Sequence, residues 1–168
     1  MNQKTLLSTN MRARFAHELH KQMKKNPEIY VVTSDLGYKM WDSVRKDFPD
    51  RFINVGAAEQ AMIGIGIGLS LAGKIPFIYS ITSFLLYRPF ETIRNYIHHE
   101  KIPVRLVGSG RDKDYSHDGI SHWSEEDKKV MNIFSNIQGL WPDKIEDLPS
   151  LVEKMVEKDI PWYINLKR

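Results

Sequence analysis

The sequence contains no cysteine. Disulfides and thiolate-bound metals are therefore excluded, and the composition fits a reducing compartment. Long apolar runs are also missing. The longest, residues 61–72, is too short for a bilayer, which needs about 20 residues. The opening stretch MNQKTLLSTNMRARF has no apolar h-region, so no leader is read there and a cytoplasmic location is expected. Charge of one sign is not in excess: 24 Lys and Arg oppose 21 Asp and Glu, leaving +3. The two signs are interspersed, so no basic patch suited to nucleic acid emerges. Repeats, low-complexity segments and linkers are absent as well.

What remains is an ordinary globular composition, 42% hydrophobic over 168 residues. That is enough for one domain with a proper core, so residues 1–168 are read as a single unit. Short apolar runs alternate with amphipathic stretches. Helices are predicted over residues 10–25, 39–47, 58–72, 89–98, 125–131 and 145–158. Strands are predicted over 29–33, 52–55, 76–79, 104–107, 137–140 and 162–166. In the first helix Phe15, Leu19 and Met23 recur every fourth residue on one face, and Asn26-Pro27 ends it. Residues 108–122 lack periodicity and read as a loop. Strand–helix alternation of this kind predicts an α/β fold, a parallel sheet with helices on both faces.

Ligands of such folds gather at the carboxyl ends of the strands. The segments there hold Ser34-Asp35, residues 56–59, residues 80–84 and residues 109–122. Glu59 opens a strongly apolar helix. Burial there is expected to raise its pKa and keep it protonated near neutrality, able to donate to a ring nitrogen. A solvent-facing carboxylate that favours the helix dipole is the plainer alternative. Phe84 and Tyr87 could stack on a flat heterocycle or simply pack in the core. His117, Asp118 and His122 could contact a polyol, but their spacing matches no strong zinc motif, and no metal ligands are assigned. His17, His20, His98 and His99 read as surface residues. Gly64, Gly66 and Gly68 fall inside a helix rather than between strand and helix. They therefore suit close helix packing, not a dinucleotide fingerprint.

These segments, taken in order, resemble a known family. Phe52-Ile-Asn-Val-Gly-Ala-Ala-Glu-Gln60, Met62-Ile-Gly64 and Gly68-Leu-Ser-Leu-Ala-Gly-Lys-Ile-Pro76 are similar to transketolases and deoxyxylulose-phosphate synthases. So are Ser83-Phe84-Leu85, Arg94, Val107-Gly-Ser109, Asp118-Gly119 and Ser121-His122. The resemblance covers nearly the whole chain, and it implies the pyrimidine-binding module of a thiamine diphosphate enzyme. Glu59 then matches the acid that hydrogen-bonds the cofactor's aminopyrimidine and activates it. Phe84 matches the aromatic that stacks on that ring. Tyr87 and Asp35 match residues close to the cofactor. Asp118 and His122, with His117 beside them, match donor-sugar contacts, His122 also lying at the reacting centre. Arg12 and Arg168 fall near positions that grip a sugar phosphate.

The chain also departs from the family pattern. Gly110 replaces a His of the loop, Ser116-His-Asp-Gly119 replaces Gly-Glu-Asp-Gly, and Trp123 stands where Gln is common. The Gly-Asp-Gly…Asn segment that holds Mg²⁺ and the diphosphate is missing, and no sequence is left for a third domain. The resemblance therefore implies a split enzyme that transfers a two-carbon ketol unit between sugars. A partner subunit would carry the diphosphate motif and the Mg²⁺, in a heterotetramer with two copies of each chain. A 2-keto acid decarboxylase or deoxyxylulose-phosphate-synthase-like carboligase subunit is the alternative within the cofactor class. A non-catalytic regulatory relative is the alternative outside it.

Overall fold

The computed structural model describes residues 7–168. Part of the opening stretch read for a leader lies outside the described residues.

Helix α1, Met11–Lys25, starts where the Asn10 side chain accepts from the Ala13 N–H at 2.9 Å. This cap satisfies one of the donors that a helix start leaves free. Phe15, Leu19 and Met23 are all buried, as their four-residue spacing requires. Each such burial stabilises by about 1.5–3 kcal/mol. The helix stops at Asn26-Pro27, where the Asn26 side chain turns the chain by accepting from Glu28 N–H at 2.9 Å. Strand β1, Ile29–Thr33, follows. Helix α2 spans Asp42–Asp47, strand β2 Phe52–Asn54, helix α3 Glu59–Leu71 and strand β3 Ile75–Ile81. Helix α4 spans Thr82–Tyr87. A short helix, α5, Phe90–Thr92, continues as a π-helix over Ile93–His99. After strand β4, Arg105–Ser109, come two 3₁₀ turns, Ser116–Asp118 and Ile120–His122. Helix α6, Asp127–Ile133, strand β5, Gln138–Leu140, helix α7, Leu148–Glu157, and strand β6, Trp162–Leu166, complete the chain.

All six strands are parallel, in the order β2-β1-β3-β4-β6-β5. Alternate residues of a strand face opposite sides, and the two cores follow that rule. Phe77, Tyr79, Val107 and Ile164 pack under α1, α2 and α7. Ile78, Leu106 and Tyr163 pack under α3, α4, α5 and α6. The predicted α/β sheet with helices on both faces is thus the observed fold. The chain leaves β1 for β2, then returns past β1 to β3. The strand order therefore reverses between β1 and β3, which is where open α/β sheets form crevices.

Two local expectations change. Helix α4 has no counterpart among the predicted elements, because six residues are too few to show a period. His20, read as a surface residue, is buried against Phe48 and paired with Asp47 at 2.8 Å.

The glycines of α3 divide by role. A Cβ on Gly66 would sit 2.5 Å from Ile78 Cδ1, so this glycine lets the helix lie close to β3. Gly64 and Gly68 have open space there. Gly64→Ala is therefore expected to stabilise the isolated chain by about 0.5–1 kcal/mol through helix propensity. Gly66→Ala should lose that gain by displacing Ile78. Thermal unfolding of both variants checks the contrast, and equal shifts would contradict it.

Candidate active site

The parallel sheet carries the ends of β1, β2 and β3 to one edge. Ser34 follows β1, Glu59 opens α3 after β2, and α4 leaves the end of β3. Glu59 is only 5% exposed. Its Oε1 accepts from Ser34 Oγ at 3.2 Å and from Arg88 Nη1 at 2.7 Å. Phe84 lies one helical turn before Arg88, and spacing i, i+4 brings the two onto one face. The Arg88 guanidinium carbon is 3.8 Å from the Phe84 ring centroid, within the range of a cation–π contact.

His122 is brought to the same place. Its ring meets that of Phe84 in a T-shaped contact at 4.8 Å. The turn that carries it is tied to α4 by Ser83 Oγ, which donates to the Ser121 carbonyl at 2.7 Å. Tyr115 lies beyond, 6.1 Å from the His122 ring. Arg12 Nη1 donates to the Tyr115 hydroxyl at 3.2 Å, and the Arg168 guanidinium lies 4.7 Å from its ring centroid. Two arginines at opposite ends of the sequence thus meet on one tyrosine beside His122. The buried Nε of Arg12 has no hydrogen-bond partner.

Other expected residues do not join this group. Tyr87 donates to Glu126 at 3.4 Å. Burial and that carboxylate push its phenol up to about 12. Asp35 is exposed, with φ at 55°, and is held by Asn54, whose side chain accepts from the Asp35 N–H at 2.8 Å. His117 and Asp118 pair with each other at 3.1 Å on an exposed turn. Among the described residues no group of three or more His, Cys, Asp or Glu is placed to hold a metal ion.

The charge state of Glu59 requires a correction. Burial is the largest influence and pushes its carboxyl up. The Arg88 hydrogen bond, the helix-start N–H, the Arg88 charge and the Ser34 hydroxyl together outweigh it, so the pKa lies below the ordinary 4.5. Glu59 is therefore a carboxylate here, not the protonated acid expected from burial alone. A depressed carboxyl pKa contributes stability above the unfolded-state value and loses it as pH falls through the lower folded value. The urea midpoint should accordingly drop on acidification below about pH 4.5, with Glu59→Gln showing a shallower drop. Parallel midpoint curves for the two proteins would remove this assignment.

Sequence reasoning placed Ser34 at a strand end but gave it no role, and it assigned none to Arg88 or Tyr115. Ser34 had a signal in its place directly after a buried strand. Arg88 had one only in its spacing from Phe84.

A family model described as "Transketolase, pyrimidine binding domain" matches residues 8–168. The chain belongs to the transketolase pyrimidine-binding domain family. A Methanocaldococcus jannaschii protein with the provisional name transketolase C-terminal section is 32% identical over 159 residues, 94% of this chain and 50% of the relative. One of the apulose-4-phosphate transketolase subunits of Actinobacillus succinogenes is 32% identical over 121 residues, 72% of this chain and 39% of the relative. Among solved structures, a split-gene transketolase described as an inactive beta4 tetramer superposes with a TM-score of 0.83 at 34% identity. That match covers 95% of this chain and 51% of the other. The chain thus spans about half the length of the curated relatives it matches. In this chain Glu59, Phe84 and His122 are linked through Arg88 and the Phe84 ring.

Among the described residues no helix is long and apolar enough to cross a membrane.

Proposed function

We propose that residues 1–168 act as the pyrimidine-binding unit of a split, thiamine diphosphate-dependent transketolase-like enzyme that transfers a two-carbon ketol unit between sugars. The observation that carries the reading is the meeting of a buried carboxylate, Glu59, an aromatic face, Phe84, and an imidazole, His122.

The residues present fit the cofactor's pyrimidine. A planar cation with N–H donors, the Arg88 guanidinium, already lies against Phe84 and donates to Glu59. A flat heterocycle whose ring nitrogen shares a proton with the carboxyl group needs the same two partners. Thiamine diphosphate, when bound, supplies an aminopyrimidine that exchanges a proton and a thiazolium that serves as electron sink. In this chain Glu59 is the group that holds and moves a proton at the ring nitrogen, with Ser34 fixing its Oε1. Phe84 orients the ring through its face and excludes water from the Glu59 side. His122 stands next to Phe84, with its Nδ1 paired to Ser121 Oγ at 3.0 Å. Its other ring nitrogen is the candidate contact for a donor hydroxyl. Arg12 and Arg168 place positive charge beside His122 and favour a donor with an anionic end.

The chain's own contribution is half of such a site. Diphosphate and Mg²⁺ are proposed to sit on a partner subunit with the Gly-Asp-Gly…Asn segment, in a heterotetramer with two copies of each chain. Asp35 and Tyr87 are proposed to line the site only at its edge, and Asp118 with His117 to reach the sugar.

The test is reconstitution. The purified chain with thiamine diphosphate, Mg²⁺ and a ketose phosphate should show no turnover, and adding a diphosphate-binding subunit should restore it. Robust turnover by the chain alone would sink the split-enzyme reading. Turnover of pyruvate but not of ketoses in the mixture would move the protein to the decarboxylase class.

A further inference from the structure

Arg88 holds two groups at once. Its Nη1 donates to the buried carboxylate of Glu59 at 2.7 Å, and its guanidinium carbon lies 3.8 Å from the Phe84 ring centroid. These are the two features that the reading above assigns to the pyrimidine, and the present inference rests on that reading. A carboxylate oxygen and an aromatic face cannot be shared fully between two flat groups of this size. A pyrimidine that takes Glu59 Oε1 and the Arg88 side of the Phe84 ring requires Arg88 to leave.

The placement of Arg88 suits departure. Its side chain is 49% exposed, against 5% for that of Glu59. It follows the last residue of α4 and precedes Pro89, which is buried and cannot donate a backbone hydrogen bond. Rotation of the side chain into water breaks no core contact and leaves its charge solvated. Glu59 differs in this respect. Once Arg88 is gone, Ser34 and the helix-start N–H remain its partners in a dry environment, and a ring nitrogen able to share a proton becomes the favourable replacement.

We propose that Arg88 is a displaceable occupant of the pyrimidine seat: it covers Phe84 and caps Glu59 in the free chain and swings outward to admit the cofactor's ring. The free chain is then mostly closed, and affinity for the ring is reduced by the fraction of chains in which the seat is open. The competing arrangement is a permanent counter-ion that stays on Glu59 in every state.

The experiment uses the purified full chain and the probe 4-amino-5-hydroxymethyl-2-methylpyrimidine, the cofactor's ring without its diphosphate arm. The Arg88 Nε–H signal in a ¹⁵N-resolved NMR spectrum is assigned by its loss in Arg88→Met. Titration with the probe is expected to move that signal to the position of a free arginine side chain. Arg88→Met, similar in length but uncharged, is expected to bind the probe about tenfold more tightly than the natural chain. Arg88→Lys, which keeps the charge but loses the plane, should fall between. Should Arg88→Met not fold, the signal of the natural chain still decides. Binding that leaves the Arg88 signal in place, or that is equal or weaker in Arg88→Met, overturns the displaceable occupant and leaves the cofactor reading standing. Absence of binding to the natural chain, Arg88→Met and Arg88→Lys alike overturns both.

Discussion

Glu59→Gln is expected to lower kcat of the reconstituted two-chain enzyme by about 10²- to 10⁴-fold, the range for loss of a general acid–base group. Glutamine keeps the shape of the side chain and can still accept from Ser34 and Arg88. It cannot bind and release a proton at the position of Oε1. Folding should survive, because the Arg88 guanidinium released from a full charge pair is half exposed and can turn to water. Assembly, followed by gel filtration with the partner, should stay close to that of the natural protein, and the thermal midpoint at neutral pH should fall only by the contribution of the carboxylate. A variant that folds, assembles and turns over at the natural rate would remove Glu59 from the chemistry. It would also revive the reading of a helix-start carboxylate with no catalytic part.

Asp127→Ala should cost about 1–3 kcal/mol of folding stability, the range for leaving buried hydrogen-bonding groups without their partner. Asp127 is 2% exposed. Its Oδ2 accepts from Trp141 Nε1 at 2.7 Å, Tyr163 OH at 2.9 Å and Asn165 Nδ2 at 2.6 Å. Burial, and then the negative charge of Asp127, holds the Tyr163 phenol well above its usual range, so it remains a neutral donor. Alanine would take the shared acceptor from buried Tyr163 and part-buried Trp141, while Asn165 Nδ2 keeps the Tyr163 hydroxyl at 3.1 Å. Asp127→Asn retains an acceptor oxygen and should cost less. Urea unfolding of the two variants measures the difference, and a loss below about 1 kcal/mol for alanine would show that water or neighbouring groups replace the carboxylate.

This network reaches α4. Asn165 Nδ2 also reaches Thr82 Oγ1 at 3.4 Å, and Thr82 Oγ1 donates to the Ser109 carbonyl at 3.2 Å. Thr82 is the first residue of α4, the helix that carries Phe84 and sets the position of Arg88. Asp127 is thus linked through Asn165, at the end of β6, to the helix that carries Phe84.

Much of the architecture was legible in the sequence because it rests on periodicity. The spacing of Phe15, Leu19 and Met23, the β-branched run at residues 29–33 and the turn at Gly73 each depend on near neighbours in the chain. The Glu59 motif was legible too, since its residues are consecutive. His20 and Asp127 were not. A histidine on a polar helix and an aspartate in a charged stretch, Ser124-Glu-Glu-Asp-Lys-Lys129, look like surface residues until distant strands and helices close over them.

The sequence by itself determined the parallel α/β fold, the family, and that an acid at position 59 stands at the carboxyl edge of the sheet with Phe84 and His122 in order behind it. Only the tertiary structure decided the state of that acid. Burial alone predicts a protonated Glu59, and burial with Arg88 produces a carboxylate. The two residues are 29 positions apart, and nothing local ties them. Their meeting follows from the return of the chain past β1 to β3, which carries α4 across the mouth of α3. A pKa is set by the charges and dipoles within a few ångströms, and those neighbours are chosen by topology.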